Sequence, residues 1–315
     1  MNKVSKKKRK RFTRDDWELS FLAIPTVIWF ILFTYLPMFG VIIAFKNYRF
    51  IPGKSYIQSL LLSEWVGLKN FKFLFATKDA FLMIRNTVLY NIVFIVLGII
   101  IPVALAIMMS QLHSQRVAKR VQTAVLLPHF LSWVVIGYFL FSFLSYDKGL
   151  LNKLFISIGN EPVKWYLEPK YWPYILIIVN LWKGVGYGMV VYLASITGID
   201  TTYYEAAVID GATKWQQITK ITLPLIKPIM VIMFILSVGR IFSSDFGLFY
   251  ILPRDSGELL NVTTTIDTYV YKALMFRGNV AMSSAAGFFQ SIVGLITIIT
   301  ANGITRKIDE ENSLF

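Results

Sequence analysis

The sequence contains no cysteine and only two histidines among its 315 residues. Without cysteine there can be no disulfide, thiolate metal site or thiol nucleophile. His113 and His129 each lie near a helix end, with no carboxylate or second histidine at ligand spacing, so neither points to a metal centre. Charge is scarce as well, Asp, Glu, Lys and Arg together making up 16% of the chain. Walker A, nucleophile-elbow and triad patterns are missing, which argues against ATP hydrolysis or substrate cleavage by this chain itself.

What the chain has in quantity is apolar surface. Hydrophobic residues make up 56% of it and the mean hydropathy is +0.58, more than a water-soluble domain can cover with polar groups. A net charge of +14 could indicate a nucleic-acid partner, but eight of the 32 Lys and Arg residues crowd into the first fourteen positions. The others are scattered between apolar runs, so the cluster Lys3, Lys6 to Lys8, Arg9, Lys10, Arg11 and Arg14 reads as a cytoplasmic anchor at a membrane, not as a nucleic-acid surface. The apolar run behind it is too long for a signal-peptide core and lacks a small-residue cleavage site, so the first helix is expected to stay attached.

A hydrocarbon layer about 30 Å thick needs roughly 20 apolar helical residues. Six segments meet that length, near 19–45, 87–109, 121–143, 173–196, 226–250 and 281–303. Their uninterrupted apolarity excludes the alternation of a barrel, and backbone groups in lipid must bond within their own segment, so the prediction is an all-α integral membrane bundle. Positive charge totals are nearly even on the two sides. The dense N-terminal cluster and the short basic turn Arg116, Lys119 and Arg120 decide the orientation, placing both termini in the cytoplasm. The chain then divides into a basic cytoplasmic segment (1–16), one transmembrane domain (17–305) and a cytoplasmic tail (306–315) ending in the acidic run Asp309, Glu310 and Glu311. No internal repeat or low-complexity tract interrupts it.

The informative inner loop reads GIDTTYYEAAVIDGATKWQQITKITLPLIKP from Gly198. Asp200, Thr201 or Thr202 can cap a short helix carrying Glu205, Ala206 and Ala207 in its first turns. Gly211 permits a tight break or left-handed turn, and a second stretch from Thr213 to Ile221 runs into Pro224, which is expected to begin the fifth span. Small residues at Ala206, Ala207 and Ala212 let another surface approach closely, and Glu205 offers it a carboxylate. An ordinary amphipathic connector is the alternative, with Glu205 merely complementing the helix dipole.

The spacing is more specific than that. Glu-Ala-Ala, three residues, Gly, nine residues, Ile-x-Leu-Pro, at Glu205, Ala206, Ala207, Gly211, Ile221, Leu223 and Pro224, resembles the EAA signature of permease subunits of binding-protein-dependent ABC importers. LPHFLSWVV (127–135), GLLNKLF (149–155), NLWKGVGYG (180–188) and LPRDSGELLNVTTTIDTYVYKAL (252–274) are similar to carbohydrate permeases of the maltose-type group, in particular its LplB/YteP-like polysaccharide branch. The resemblance implies a MetI-like permease fold of six transmembrane helices with a cytoplasmic coupling helix between helices 4 and 5. It implies a non-catalytic transport subunit of the bacterial cell membrane that couples through Glu205, Ala206, Ala207, Asp210, Gly211, Ile221, Leu223 and Pro224. It also implies the partners: a second permease, two ABC ATPase subunits that hold ATP and Mg²⁺, and an extracellular solute-binding protein that delivers an oligosaccharide.

Polar groups inside the predicted spans are costly and therefore suspect of function. Asn180, Lys183, Arg240 and Asp245 fall there, although Lys183 and Arg240 could equally snorkel to an interface. A sugar path needs aromatic faces and amide or hydroxyl groups, which Asn180, Trp182, Tyr187, Asp245 and Tyr250 can supply. Gly184, Gly186 and Gly188 are expected to bring a neighbouring helix close. Three other readings are weighed on sequence alone, one of them a non-transporting membrane scaffold or sensor on the same fold, which would have no need for the full signature at Glu205 to Pro224. An importer of amino acids, peptides or phosphate would share the EAA signature. An ion-coupled carrier would need inverted repeats and intramembrane carboxylates, for which only Asp245 is available.

Overall fold

The computed structural model describes residues 13–308 apart from Thr77 and His113. The basic cluster Lys3 to Arg11, His113 and the acidic residues Asp309 to Glu311 lie outside the described residues. Helices and turns account for the fold, and no strand occurs among the described residues beyond an isolated bridge between Lys46 and Trp65.

Five single helices are long and apolar enough to cross a membrane: Asp16–Phe45, Asp79–Ser110, Pro169–Thr197, Lys214–Val238 and Val280–Lys307. The straight third span expected over 121–143 is corrected. It is two helices, Gln115–Phe130 and Trp133–Leu144, meeting at a 99° bend. Pro128 tightens the end of the first piece, and the Ser132 hydroxyl accepts from Val135 N–H to start the second. Counted as one, this pair brings the total to six.

The fifth span is also shifted. Pro224 does not begin it; the helix is continuous from Lys214 and stops at Val238, well before residue 250. A proline inside a helix loses its own N–H and crowds the carbonyl four residues back. Here a wide π turn over Ile218–Thr222 immediately precedes Leu223-Pro224, with Leu223 N–H reaching back five residues to Ile218 O. The same solution appears at Leu36-Pro37, behind the π turn Ile31–Tyr35. Both Leu-Pro pairs thus pass through continuous helices.

The second and fourth spans form the most extensive contact in the molecule. In lipid, where apolar surface gains little by leaving one helix for another, close packing has to hold them. Gly186 and Gly188 are buried; a side chain at Gly188 would sit 3.0 Å from Pro102 of the second span, and one at Gly186 would collide with the backbone of Val125 in the first piece of the third. Gly184 faces open space and takes no part in this approach. Two core clusters lie along the pair. Val103, Ala106, Met109, Met189, Tyr192, Ile196 and Ile226 fill the end nearest the 202–217 hairpin. Tyr90, Ile136, Trp172, Leu176, Leu248 and Leu259 belong to the cluster that fills the far end.

The first span behaves differently. Every described side chain from Asp16 to Phe39 is exposed apart from half-buried Ser20, and only its last turns, Phe39–Phe45, pack on the sixth span. The segment after Pro253 contains a further helix, Ile266–Arg277, seated against the sixth span.

Candidate functional site

The loop after the fourth span folds into a helical hairpin. Asp200 accepts a hydrogen bond from Thr202 N–H at 2.9 Å and thereby starts the helix Thr202–Ile209. Hydrogen bonds from Thr202 hold the Asp200 carboxyl below the usual carboxylate range. Thr201 holds the first cap position without a side-chain bond. At the other end Gly211 adopts φ +73°, a left-handed conformation that only glycine takes readily, and Ala212 N–H returns to Ala207 O at 2.8 Å. Thr213 and Gln216 then form a reciprocal capping box that starts the next helix. The two arms are tied by Tyr204 and Thr222, whose hydroxyls are 2.9 Å apart, and by buried Gln217, which donates to Ala212 O.

This architecture divides the expected coupling residues. Glu205, Ala206, Asp210 and Gly211 are exposed and Ala207 is half-buried, all on the hairpin. Ile221, Leu223 and Pro224 lie behind it in the long fifth helix, where half-buried Leu223 packs on the core cluster around Val103 and Ile226. Glu205 lines a cleft of about 590 Å³ together with Ser110, Gln111, Tyr204, Lys214 and Gln217. The tip of the hairpin is apolar and bare: Ile209 is 86% exposed and Trp215 71% exposed. Sequence reasoning missed those two residues, although T-x-x-Q at 213–216 announced the helix that displays Trp215.

The polar groups in the spans turn out to serve breaks in neighbouring helices. Lys183 donates to His129 O at 2.8 Å and Leu131 O at 2.7 Å, the carbonyls freed at the 99° bend, and its ammonium lies 5.2 Å from the Trp133 ring. It therefore does not snorkel. Backbone groups with no water to bond must find a partner inside the protein, and a lysine supplies three donors at one point. Asn91 plays the same part where the fifth span ends, donating to Ile241 O and Ser243 O. Gln290 adds a bond to Phe242 O and another to Asp267, whose carboxylate also accepts from Ser244 N–H. Asn86 serves Asn261 O and Thr264 O.

Of the five sugar-path candidates, Tyr187 stacks on His129 at 5.0 Å, next to the Lys183 clamp. Asn180 lies seven residues before it, two turns along the same helix face, and is half-buried. Trp182 is two residues from Asn180, about 200° around the helix, and is not brought to that face. Asp245 is corrected to a position outside the helix. Its carboxylate accepts from Gly247 N–H and Leu248 N–H and caps the turn Gly247–Ile251. Arg240, likewise in the break after Val238, is exposed. Tyr250 stacks on Phe246 at 4.7 Å and lies edge-on to Tyr271. Gly247 lets the Trp133 ring press on this turn, since any side chain there would overlap the indole.

Comparison with known proteins fits this arrangement. A family model described as binding-protein-dependent transport system inner membrane component matches residues 102–310. The chain is 35% identical over 309 residues to the polygalacturonan/rhamnogalacturonan transport system permease protein YteP of Bacillus subtilis, covering 97% of this chain and 94% of that one. A solved chain from a bacterial ABC transporter involved in import of the acidic polysaccharide alginate superposes with a TM-score of 0.83 at 33% identity, over 94% of this chain and 97% of that one. A chain from a bacterial alginate ABC transporter in complex with an alginate pentasaccharide-bound periplasmic protein gives the same score and identity, over 94% and 96%.

Proposed function

The chain belongs to the family of binding-protein-dependent transport system inner membrane components, and from that premise we propose that it is one of two permeases in an ATP-driven oligosaccharide importer of the bacterial cell membrane. The observation that carries the reading is the bare, apolar-tipped hairpin of Thr202 to Gln217, set between the fourth and fifth spans and shaped by a left-handed Gly211. An exposed Ile and Trp on a rigid two-helix projection suit a groove on another protein. That partner is the ATPase subunit, which binds ATP and Mg²⁺. Glu205, Ala206, Ala207, Asp210 and Gly211 form the docking face, with Ile221, Leu223 and Pro224 anchoring it to the bundle.

The continuous fifth helix gives the coupling a mechanical form. Its 25 residues span roughly 37 Å, so a pull on the hairpin reaches the break after Val238 as a rigid-body movement. There Asn91 and Gln290 hold the freed carbonyls. The π turn at Ile218–Thr222 is where the lever can bend. Closure of two ATPase subunits thus rocks the spans between outward- and inward-open states.

The second permease is supported by the first span, whose side chains from Phe21 to Phe39 are all exposed. Oligosaccharide is supported by the saccharide cargo named for YteP and the alginate transporters. Delivery by an external binding protein is supported by the family description and by the periplasmic protein in the alginate complex. Asn180 and Tyr187, flanking Lys183 on the fourth span, are the best-placed sugar contacts; Tyr250 comes next, and Trp182 and Asp245 are the weakest. The basic segment 1–16, the tail 306–315 and the hairpin all face the cytoplasm in this reading.

The test is sugar-stimulated ATP hydrolysis by the reconstituted complex of both permeases, ATPase and binding protein, comparing wild type with Glu205→Ala plus Gly211→Pro. Stimulation by an oligosaccharide that disappears in the double variant, while the chain still inserts, supports the reading. Uptake that persists without any ATPase subunit refutes it, and stimulation by a non-sugar solute alone redirects it to another cargo.

A further inference from the structure

The end of the molecule opposite the hairpin carries a second built feature, whose role is inferred on the basis of the oligosaccharide-importer reading. A cleft of about 520 Å³ opens between the end of the bent third span, the segment Lys164–Leu167 and the turn Pro253–Ser256. That is a typical volume for a small-molecule site.

Its wall is unusual in its charges. Arg254 and Lys164 line it together with a single carboxylate, Asp147. Neither cation forms an ion pair among the described residues. The Arg254 guanidinium lies 4.1 Å over the Phe141 ring, and the Lys164 ammonium lies 5.5 Å from the Tyr146 ring. A cation resting on an aromatic face keeps its N–H donors free for another acceptor, which a carboxylate partner would consume.

The backbone places Arg254 there at a cost. Arg254 and Asp255 have φ of 56° and 52°, two consecutive left-handed residues that both carry a Cβ. The turn is held from both sides: Asp255 pairs with Lys272, and Ser256 donates to Tyr166 O at 2.9 Å. Strain that surrounding bonds maintain at a cleft points to use of the side chain it positions. The opposite wall is equally fixed. Buried Asn152 bonds Val163 and Trp165, and Trp172 Nε1 donates to Trp165 O.

A third sign is the Tyr166 hydroxyl, which is enclosed in this wall without a hydrogen-bond partner. Burial pushes it up to about 12, against the opposing pull of the Arg254 charge, so it stays a neutral O–H. A buried hydroxyl without a partner is a cost that a ligand oxygen can relieve.

We propose that this cleft is an entry subsite for an acidic oligosaccharide, with Arg254 and Lys164 taking the carboxylate of a uronate residue and the Phe141, Tyr146 and Tyr166 rings flanking the sugar. Guanidinium presents a planar fork matched to a carboxylate, and aromatic faces accept the C–H side of a pyranose ring. A neutral sugar offers these cations only hydroxyl oxygens, whereas a uronate adds a charge-assisted, bidentate partner. A partner-protein carboxylate would satisfy the charges, but would not require a ring-lined concavity.

The experiment uses the complete reconstituted importer and two probes, a galacturonate trisaccharide and the same trisaccharide with its carboxyls reduced to alcohols. Stimulated ATP hydrolysis is titrated with each, for wild type, Arg254→Gln, Arg254→Lys and Lys164→Gln. Assembly of every variant complex is verified by size. The ratio of half-saturating concentrations, reduced over acidic, is expected to fall about tenfold in R254Q and K164Q and to recover partly in R254K. An unchanged ratio overturns the subsite while leaving the importer reading intact. Loss with both probes, together with weaker capture of the unloaded binding protein, overturns it in favour of a protein-docking surface. If neither probe nor any other oligosaccharide stimulates wild type, the importer reading fails, and the subsite with it.

Discussion

The two ends of the molecule are held by different kinds of bond. At the hairpin end, shape comes mainly from devices local in sequence: the Asp200 turn, the left-handed Gly211 with its Ala212-to-Ala207 bond and the Thr213–Gln216 box act within five residues, and the longest tie, Tyr204 to Thr222, spans eighteen. At the far end and along the bends, shape comes from side chains reaching distant carbonyls, Lys183 to His129 and Leu131, Asn91 to Ile241 and Ser243, Asn86 to Asn261 and Thr264. The reason is solvent. A loop in water can leave backbone groups to solvent and needs only its turn defined, whereas a broken helix in lipid must have each freed carbonyl satisfied from within the protein. The locally built end leaves Ile209 and Trp215 bare, and the long-range end is fixed in itself.

If that contrast holds, substitutions at the far end should lower the stability of the chain, and those at the hairpin should spare the chain and damage the complex. The largest effect is expected for Lys183→Met, which leaves the carbonyls of His129 and Leu131 without their charged donor at a cost of about 3 kcal/mol. Thermal unfolding of the purified chain in detergent measures it. An unchanged midpoint would show that the bend holds without the clamp.

Asn152→Leu comes next. Its amide makes bonds with Tyr146, Val163 and Trp165, and their loss is expected to cost about 2 kcal/mol in the same assay. Gly211→Val forces a β-branched residue to a left-handed φ, with about 1.5 kcal/mol of local strain. Its stronger readout is functional: sugar-stimulated ATP hydrolysis should fall well before the unfolding midpoint moves. A midpoint shift as large as that of Lys183→Met would erase the distinction between the two ends.

The smallest effect on the chain belongs to Ile209→Ser, expected to change stability by less than about 0.5 kcal/mol because the side chain touches almost nothing. Binding of the ATPase subunit to the permease pair should nevertheless weaken measurably in a pull-down titration. Equal retention of the ATPase by the variant would count against the hairpin tip as the docking face. The absence of native cysteine sharpens the comparison further. A single cysteine at Trp215 should be labelled by an impermeant maleimide only from the cytoplasmic side, and one at Lys164 only from the outside. Labelling of both from one side would reverse or refute the orientation.

Much of the hairpin was legible because its determinants are neighbours in the chain: Asp200, Gly211 and Thr213 specify turns and caps by residue type at fixed offsets. The apolar runs were legible for the same reason. The 99° bend was not, although Pro128 and Ser132 mark the place, because a proline in a long apolar run is compatible with a passed-through helix, as Pro224 and Pro37 demonstrate. Whether a proline breaks a helix depends on what receives the freed carbonyl. At the bend Lys183 receives it from another helix, while at Pro224 the chain widens into its own π turn. Asp245 looked like an intramembrane carboxylate because the run from 226 to 250 is predominantly apolar, yet the helix had already ended at Val238.

By itself, then, the sequence determined an apolar helical bundle, a hairpin with a left-handed hinge, and the Glu-Ala-Ala to Leu-Pro spacing, all properties of composition and short spacing. The tertiary structure alone decided which helices bend, which polar side chains are occupied by carbonyls and which cations stay free. Those outcomes depend on groups roughly 50 to 180 residues apart in the chain meeting where no water can stand in for a missing partner.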